Sequence, residues 1–175
     1  MVIVGLVLCG SVSAQELAVS TNVVDYANFG TVNVEASYGF ARHWSAVAAA
    51  KYNPFSFRDG ELLSRQRLFA LGARYWPWHI YSGWWVAGKA QYQEYNTGGI
   101  VSQDTSEGDR WGASLSGGFT YMLGRHFNLD FGAGLWAGYD RYVTYACPNC
   151  GRFTGSGEKF FLLPNDIIVA LTYVF

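Results

Sequence analysis

The chain has little charge and few cysteines or prolines, and it contains no long apolar run. Only 14% of its residues are charged, against about 25% in an average soluble domain. No apolar stretch reaches the roughly 20 residues that a membrane-spanning helix requires. The net charge of -1 provides no basic surface for a phosphate backbone. Nucleic acid is therefore not an expected partner, and any membrane-spanning segment must be a strand.

Aromatic residues and glycine are abundant instead. The sequence has 21 glycines, 12 tyrosines, 12 phenylalanines and 7 tryptophans, and half of its residues are hydrophobic. Aromatic residues favour strands and membrane interfaces. We therefore predict an all-β protein, and 175 residues suffice for one domain.

The last predicted strand, residues 164–175, has the strongest pattern in the sequence. Ile167, Val169, Leu171, Tyr173 and Phe175 occupy every second position, so that in a strand they form one apolar face. An outer-membrane barrel has a closing strand of this kind. We interpret Tyr173 and Phe175 as the signal by which the barrel-assembly machinery recognises the chain during insertion.

Seven further segments alternate in the same way. The eight predicted strands cover residues 16–24, 29–40, 44–53, 65–76, 83–95, 111–121, 127–140 and 164–175. Short connections alternate with long ones, as in barrels whose turns and loops lie on opposite sides of a membrane. We predict a short turn at 25–28 and long loops at 54–63, 96–109 and 141–159. The predicted fold is an eight-stranded antiparallel up-and-down transmembrane β-barrel of the outer-membrane type, formed by residues 15–175.

Residues 1–14 (MVIVGLVLCGSVSA) are apolar and end in Val12-Ser13-Ala14, which is the spacing of a signal-peptidase site. We predict a signal peptide that is cleaved after Ala14. Cys9 offers a lipoprotein alternative, although Leu8 precedes it where a small residue is needed.

The same alternation places charged side chains inside the barrel. An eight-stranded barrel has room only for side chains in its interior. Unpaired charges there would be costly, so we expect the charges to pair and the lumen to be plugged. A proton or solute pathway is the alternative. The predicted lumen charge network consists of Glu35, Lys51, Arg74, Lys89 and Asp130.

The sequence contains no convincing catalytic or metal site. Cys147 and Cys150 form a C-x-x-C motif in a predicted loop, where a disulfide is expected rather than redox chemistry or zinc binding. The three histidines fall in or beside predicted short turns, without a serine or acid that could act with them. We expect no enzymatic activity, no metal and no cofactor.

Several short motifs together resemble the family known as domain of unknown function 3575 (DUF3575). The motifs include Ser20-Thr21-Asn22, His43-Trp44-Ser45, Arg74-Tyr75-Trp76, residues 145–151 (YACPNCG) and Leu163-Pro164. The resemblance implies a small outer-membrane β-barrel of Gram-negative bacteria. It provides no catalytic residues.

The expected function is that of a non-enzymatic barrel in the cell outer membrane, in contact with lipid and displaying its loops. Aromatic and aliphatic residues predicted at the loop rim suggest docking to another envelope protein. They are Phe55, Phe57, Phe153 and residues 160–163. The alternatives are a small ligand-binding, lipid-binding or transport barrel, and a soluble lipocalin-like barrel whose apolar face points inward.

Overall fold

A computed structural model describes residues 17–57, 62–98, 104–147 and 151–175 of the chain. The predicted signal peptide lies outside these residues, as does Cys150 of the predicted disulfide. Both therefore remain predictions.

The described residues form nine strands and one short helix. The elements are β1 (Leu17–Asn22), α1 (Val23–Ala27), β2 (Val32–Ala41), β3 (Trp44–Asn53), β4 (Ser56–Phe57), β5 (Leu62–Tyr75), β6 (Gly83–Gly98), β7 (Thr105–Met122), β8 (Phe127–Tyr145) and β9 (Phe153–Val174).

Eight of the strands close into a barrel in which every neighbouring pair is antiparallel. The ring runs β3-β2-β1-β9-β8-β7-β6-β5 and closes where β5 pairs with β3, while the two-residue β4 adds to the edge of β5. The predicted eight-stranded up-and-down barrel is confirmed. We call the end with the connections 42–43, 76–82 and 123–126 the turn end, and the opposite end the loop end. In the part of the chain that the structure describes, no helix has the length and apolar character needed to cross a membrane.

Strand alternation sorts the side chains into a lumen face and an outer face, as the sequence predicts. On β6, Trp84 and Val86 are exposed, whereas Trp85, Ala87 and Lys89 are buried in the lumen. Most of the large apolar side chains therefore cover the outside of the barrel, and polar side chains share the interior with a smaller set of buried aromatic and aliphatic ones. The lipocalin-like alternative requires the reverse arrangement and is wrong.

Two neighbouring rows of side chains cross the outer face from β5 to β9. Directly paired positions form an aromatic row, which consists of Phe69, Tyr92, Trp111, Tyr139 and Phe160. The next outward positions toward the loop end form a charged row, which consists of Arg67, Glu94, Asp109, Arg141 and Glu158. Across five strands, the outer surface thus changes from apolar to charged within one step along each strand.

The strand ends differ from the prediction on the loop side. Residues 141–159, predicted as a loop, belong largely to β8 and β9, because the two strands continue to pair past Arg141 and Glu158. The predicted loop at 96–109 shortens in the same way, since β6 continues to Gly98 and β7 begins at Thr105. These hairpins remain paired because their backbone hydrogen bonds do not require apolar side chains.

The predicted turn at 25–28 is also corrected. The chain forms the five-residue helix α1 there, and the Asn22 side chain caps it by accepting a hydrogen bond from the backbone N–H of Val24. The first strand is correspondingly short and ends at Asn22, two residues before its predicted end.

Two glycines provide a matched test of lumen packing. A Cβ at Gly118 would meet the Phe131 carbonyl oxygen and would lie 2.5 Å from Cζ2 of Trp85, whereas a Cβ at Gly88 would meet nothing within 4 Å. We predict that Gly118→Ala lowers the free energy of unfolding by about 1–3 kcal/mol, which is the usual effect of overpacking. The measurement is the urea midpoint of the folded, heat-modifiable band on a gel. Gly88→Ala is the control, and equal midpoints for the two variants would contradict the packing described here.

Candidate functional site in the barrel lumen

The lumen is organised around the carboxylate of Glu35, which β2 points inward. The Arg74 guanidinium of β5 lies 2.6 Å from Glu35 Oε1, and the Lys89 ammonium of β6 lies 2.5 Å from Glu35 Oε2. Each side chain occupies a lumen position of its strand, so the closed ring of strands brings the three together. Glu35 therefore contacts two cations, one through each oxygen.

Arg74 connects this pair of contacts to a second acid, Asp130 of β8. Its Nη1 atom lies 3.9 Å from Asp130 Oδ2. Asp130 accepts hydrogen bonds from the hydroxyls of Thr120 and Thr172, the latter at 2.6 Å. These four charged residues, Glu35, Arg74, Lys89 and Asp130, form what we call the ion layer. The ion layer contains two acids and two bases, so its charges cancel.

Aromatic side chains fill the lumen on the turn side of the ion layer. Trp76 and Trp85 are 0% and 1% exposed, and Tyr81 is buried beside them. Arg74 lies 4.2 Å from the ring centre of Trp85 and 5.5 Å from that of Trp76, so its guanidinium stacks on this aromatic floor. These three side chains, Trp76, Tyr81 and Trp85, form what we call the aromatic floor of the lumen at the turn end.

Hydrogen bonds hold the aromatic floor in place. Trp76 Nε1 donates to the Ser45 hydroxyl at 3.1 Å, and the Tyr81 hydroxyl donates to the Ser37 carbonyl at 3.1 Å. Alternation along residues 83–95 predicts that Trp85 points into the barrel, but the sequence does not indicate the aromatic floor. Tyr81 lies in a predicted turn, where alternation gives no direction, and it adopts a left-handed backbone with φ 62°.

A second charged cluster lies toward the loop end and is centred on Asp140 of β8, which is fully buried. Arg110 Nε lies 3.1 Å from Asp140 Oδ2, the Tyr95 hydroxyl donates to Asp140 Oδ1 at 2.8 Å, and Lys159 Nζ lies 3.8 Å away. Arg110 also stacks on the Tyr95 ring, 3.9 Å from its centre. The sequence places Asp140 on the lumen face, but it misses its partners, because Arg110 and Lys159 fall in or beside predicted loops.

Lys51 of the predicted network has a different partner from the other four residues. Its ammonium lies 2.9 Å from Asp25 Oδ2 of α1. A cavity of about 40 Å³ lies between this ion pair and the ion layer. Lys51 is thus a lumen residue, as strand alternation predicts, but its ion pair joins the barrel wall to α1.

The histidines lie at strand ends at the turn end of the barrel. Nδ1 of His43 lies 2.9 Å from the backbone oxygen of Trp76. Nδ1 of His126 lies 2.9 Å from the backbone oxygen of Val174. The backbone N–H groups of the same two residues donate to the carbonyls of His43 and His126. Within the described ranges, no group of three or more His, Cys, Asp or Glu residues could hold a metal ion. The absence of enzymatic activity remains a prediction.

The proposed insertion signal lies on the outer face at the turn end. Tyr173 stacks on His126 at 5.7 Å between ring centres and contacts Phe175 edge-to-face at 4.9 Å. The rings form an exposed aromatic cluster at the end of β9. Their role in insertion remains a prediction.

Removing the central acid tests the ion layer. We predict that Glu35→Gln, which leaves Arg74 and Lys89 without their shared counter-charge, lowers the free energy of unfolding by about 3–5 kcal/mol. Adding Lys89→Gln restores neutrality and should recover part of that loss. The urea midpoint of the folded band measures both.

The control for that experiment is Glu158→Gln, which breaks the exposed pair between Arg141 and Glu158 at 2.8 Å. It should change the free energy of unfolding by no more than about 1 kcal/mol. If Glu35→Gln behaves like Glu158→Gln, the ion layer does not stabilise the barrel.

Comparison with known proteins assigns the chain to a family without assigning an activity. No curated protein and no solved structure matches the chain. One family model matches over residues 1–175. The chain therefore belongs to the family described as Protein of unknown function (DUF3575).

Proposed function

We propose that this protein is a non-enzymatic integral barrel of the outer membrane, with a sealed lumen and with strands that extend beyond the membrane at the cell surface. The observation that carries this proposal is the apolar outer face of a closed barrel whose ions are buried inside. Phe69, Leu71 and Leu115 are among the outward side chains, and each is more than half exposed. An apolar surface of this extent requires lipid or protein to cover it.

The end of the apolar outer face supports the same proposal. The aromatic row lies next to the charged row, at the loop-side border of the apolar surface. Aromatic side chains are enriched at membrane interfaces. Arg67 pairs with Glu94, and Arg141 pairs with Glu158, on the loop side of this border. The charged row would then stand in water or among lipid headgroups.

The strand lengths support a barrel whose strands extend beyond the membrane on one side. A membrane-crossing strand needs about 9–11 residues, whereas β7, β8 and β9 have 18, 19 and 22. With a rise of about 3.3 Å per residue and a tilt near 45°, β9 spans roughly 50 Å along the barrel axis, about twice the height of the apolar band. Phe153, at the far end of β9, is 59% exposed, which favours docking to another envelope protein at this height.

A sealed lumen fits the two layers that cross it. The aromatic floor excludes water at the turn end, and the ion layer fills the interior beside it with paired charges. A continuous water path would have to displace both. A ligand-binding role is the second candidate function, and the cavity beside α1 is the observation that favours it.

The membrane location and the sealed lumen are tested together. We expect the mature protein in the outer-membrane fraction after carbonate washing, with folded and boiled forms that migrate differently on a gel. In planar bilayers it should show no stepwise conductance, whereas an open porin in the same bilayers conducts. Recovery in the aqueous phase without detergent would contradict the membrane location, and a stable single-channel step would contradict the sealed lumen.

Docking is tested by a photo-crosslinking side chain placed at either end of the barrel. Phe153 near the loop end and Phe40 near the turn end are exposed to nearly the same extent, 59% and 58%. We expect benzoylphenylalanine at position 153 to capture a protein partner in cells and the same group at position 40 to capture none. Absence of a protein adduct at position 153 would count against docking through the part of the barrel that extends beyond the membrane.

A further inference from the structure

The seam between the first and last strands is much shorter than the rest of the barrel. β1 has 6 residues and β9 has 22, and their pairing ends where Asn22 meets Ala170. With the same rise and tilt as above, β1 climbs roughly 14 Å, which is about half of the apolar band. On the loop side of this point, the wall of the barrel has no strand in the place of β1 among the described residues.

Asn22 and α1 occupy that place. The Asn22 side chain donates to the Ile167 carbonyl at 3.2 Å and accepts from the Val169 N–H at 3.0 Å, so it continues the backbone pairing of β9 by one step. Pro164 lies on β9 closer to the loop end and has no backbone N–H group that would need a hydrogen-bond partner. None of the residues of α1 is buried. The helix therefore covers a gap in the wall without being anchored in a core.

A small amphipathic cavity lies behind α1. Its volume is about 40 Å³, enough for a water molecule or two or for one small polar group. Ala49, Leu68 and Ile168 form part of its apolar lining. Arg74 and Gln91 also line it, and in the described part of the chain Arg74 Nε and the Gln91 side-chain oxygen are buried without a hydrogen-bond partner. Residues with one unused donor and one unused acceptor thus border the cavity beside apolar side chains.

The charges around the cavity define the kind of ligand that fits. The lining contains three acids and three bases, and Asp25 is the one charged residue that belongs to α1. If α1 moves away, Asp25 leaves with it, and the wall retains Lys51 and the ion layer with one positive charge in excess. An anion beside Lys51 would restore the charge balance. The group that Lys51 contacts there in the closed barrel is the carboxylate of Asp25.

We propose that the gap at the β1–β9 seam is a lateral binding site for a long-chain fatty acid, whose carboxylate takes the place of Asp25 on Lys51. The apolar chain leaves through the gap, along the exposed Ile167 of β9. A carboxylate fits the cavity, whereas a phosphodiester headgroup is too large for it. This inference rests on the proposed membrane location, because the chain of the fatty acid lies in the hydrocarbon layer.

Oleate binding to the detergent-purified barrel, titrated by native mass spectrometry, tests the site. We expect one oleate per barrel and at least tenfold weaker binding of oleyl alcohol, which has the same chain without the charge. Lys51→Gln should weaken oleate binding at least tenfold. Asp25→Asn, which removes the competing carboxylate, should strengthen it by about fivefold or more. Glu158→Gln, which removes an acid that does not line the cavity, should leave it unchanged.

The opposite signs expected for Lys51→Gln and Asp25→Asn separate a binding site from a folding defect, because misfolding weakens binding in both variants. Equal binding of oleate and oleyl alcohol, or no strengthening by Asp25→Asn, would overturn the proposal. The heat-modifiable gel band reports independently whether each variant is a folded barrel. Failure of oleate binding in a barrel that fractionates with the outer membrane overturns this inference and leaves the proposed function in place.

Discussion

Backbone hydrogen bonding around a closed ring of strands is the constraint on which the rest of this structure depends. In a sheet without edges, every strand has two neighbours, and the alternation of side chains then gives each residue one of two environments. Most of the large apolar residues of this chain take the outer face, and charged residues of β2, β5, β6 and β8 meet at the centre. The short β1 is the exception, and there the Asn22 side chain and α1 take over the role of a strand.

Charge balance makes this interior possible. Each buried acid of the lumen has cationic partners, and the aromatic rings of Trp85 and Tyr95 stack against the guanidinium groups of Arg74 and Arg110. A buried charge without a partner would be strongly destabilising, so these networks are best understood as what allows a narrow lumen to be filled with polar side chains. The same reasoning points to Lys51 as the position where a partner can be exchanged, because the acid that it binds lies on a helix with no buried residue.

Much of the fold could be predicted from the sequence, because the two-residue period of a strand is visible in it. The faces of β6 and the inward direction of Glu35, Arg74 and Asp130 follow from that period alone. The strand ends do not, since Gly155, Gly157 and Glu158 have the composition of a loop and pair only because β8 lies beside them. The partners of Asp140 and Lys51 could not be found for a related reason. Arg110 and Lys159 lie at the borders of predicted loops, and the sequence predicts a turn at 25–28 although the capping Asn22 precedes α1.

The central claim is that the apolar outer face lies against acyl chains while the adjacent lumen positions do not. Leu115 and Ser114 are neighbours on β7, one exposed on the outside and the other buried inside. A spin label at position 115, in a variant whose own cysteines are replaced by serine, reports its surroundings in reconstituted membranes. We predict frequent collisions of this label with oxygen, which concentrates in hydrocarbon, and rare collisions with a water-soluble nickel chelate. Nickel collisions at position 115 as frequent as those of a label at Arg141 in the charged row would contradict the account.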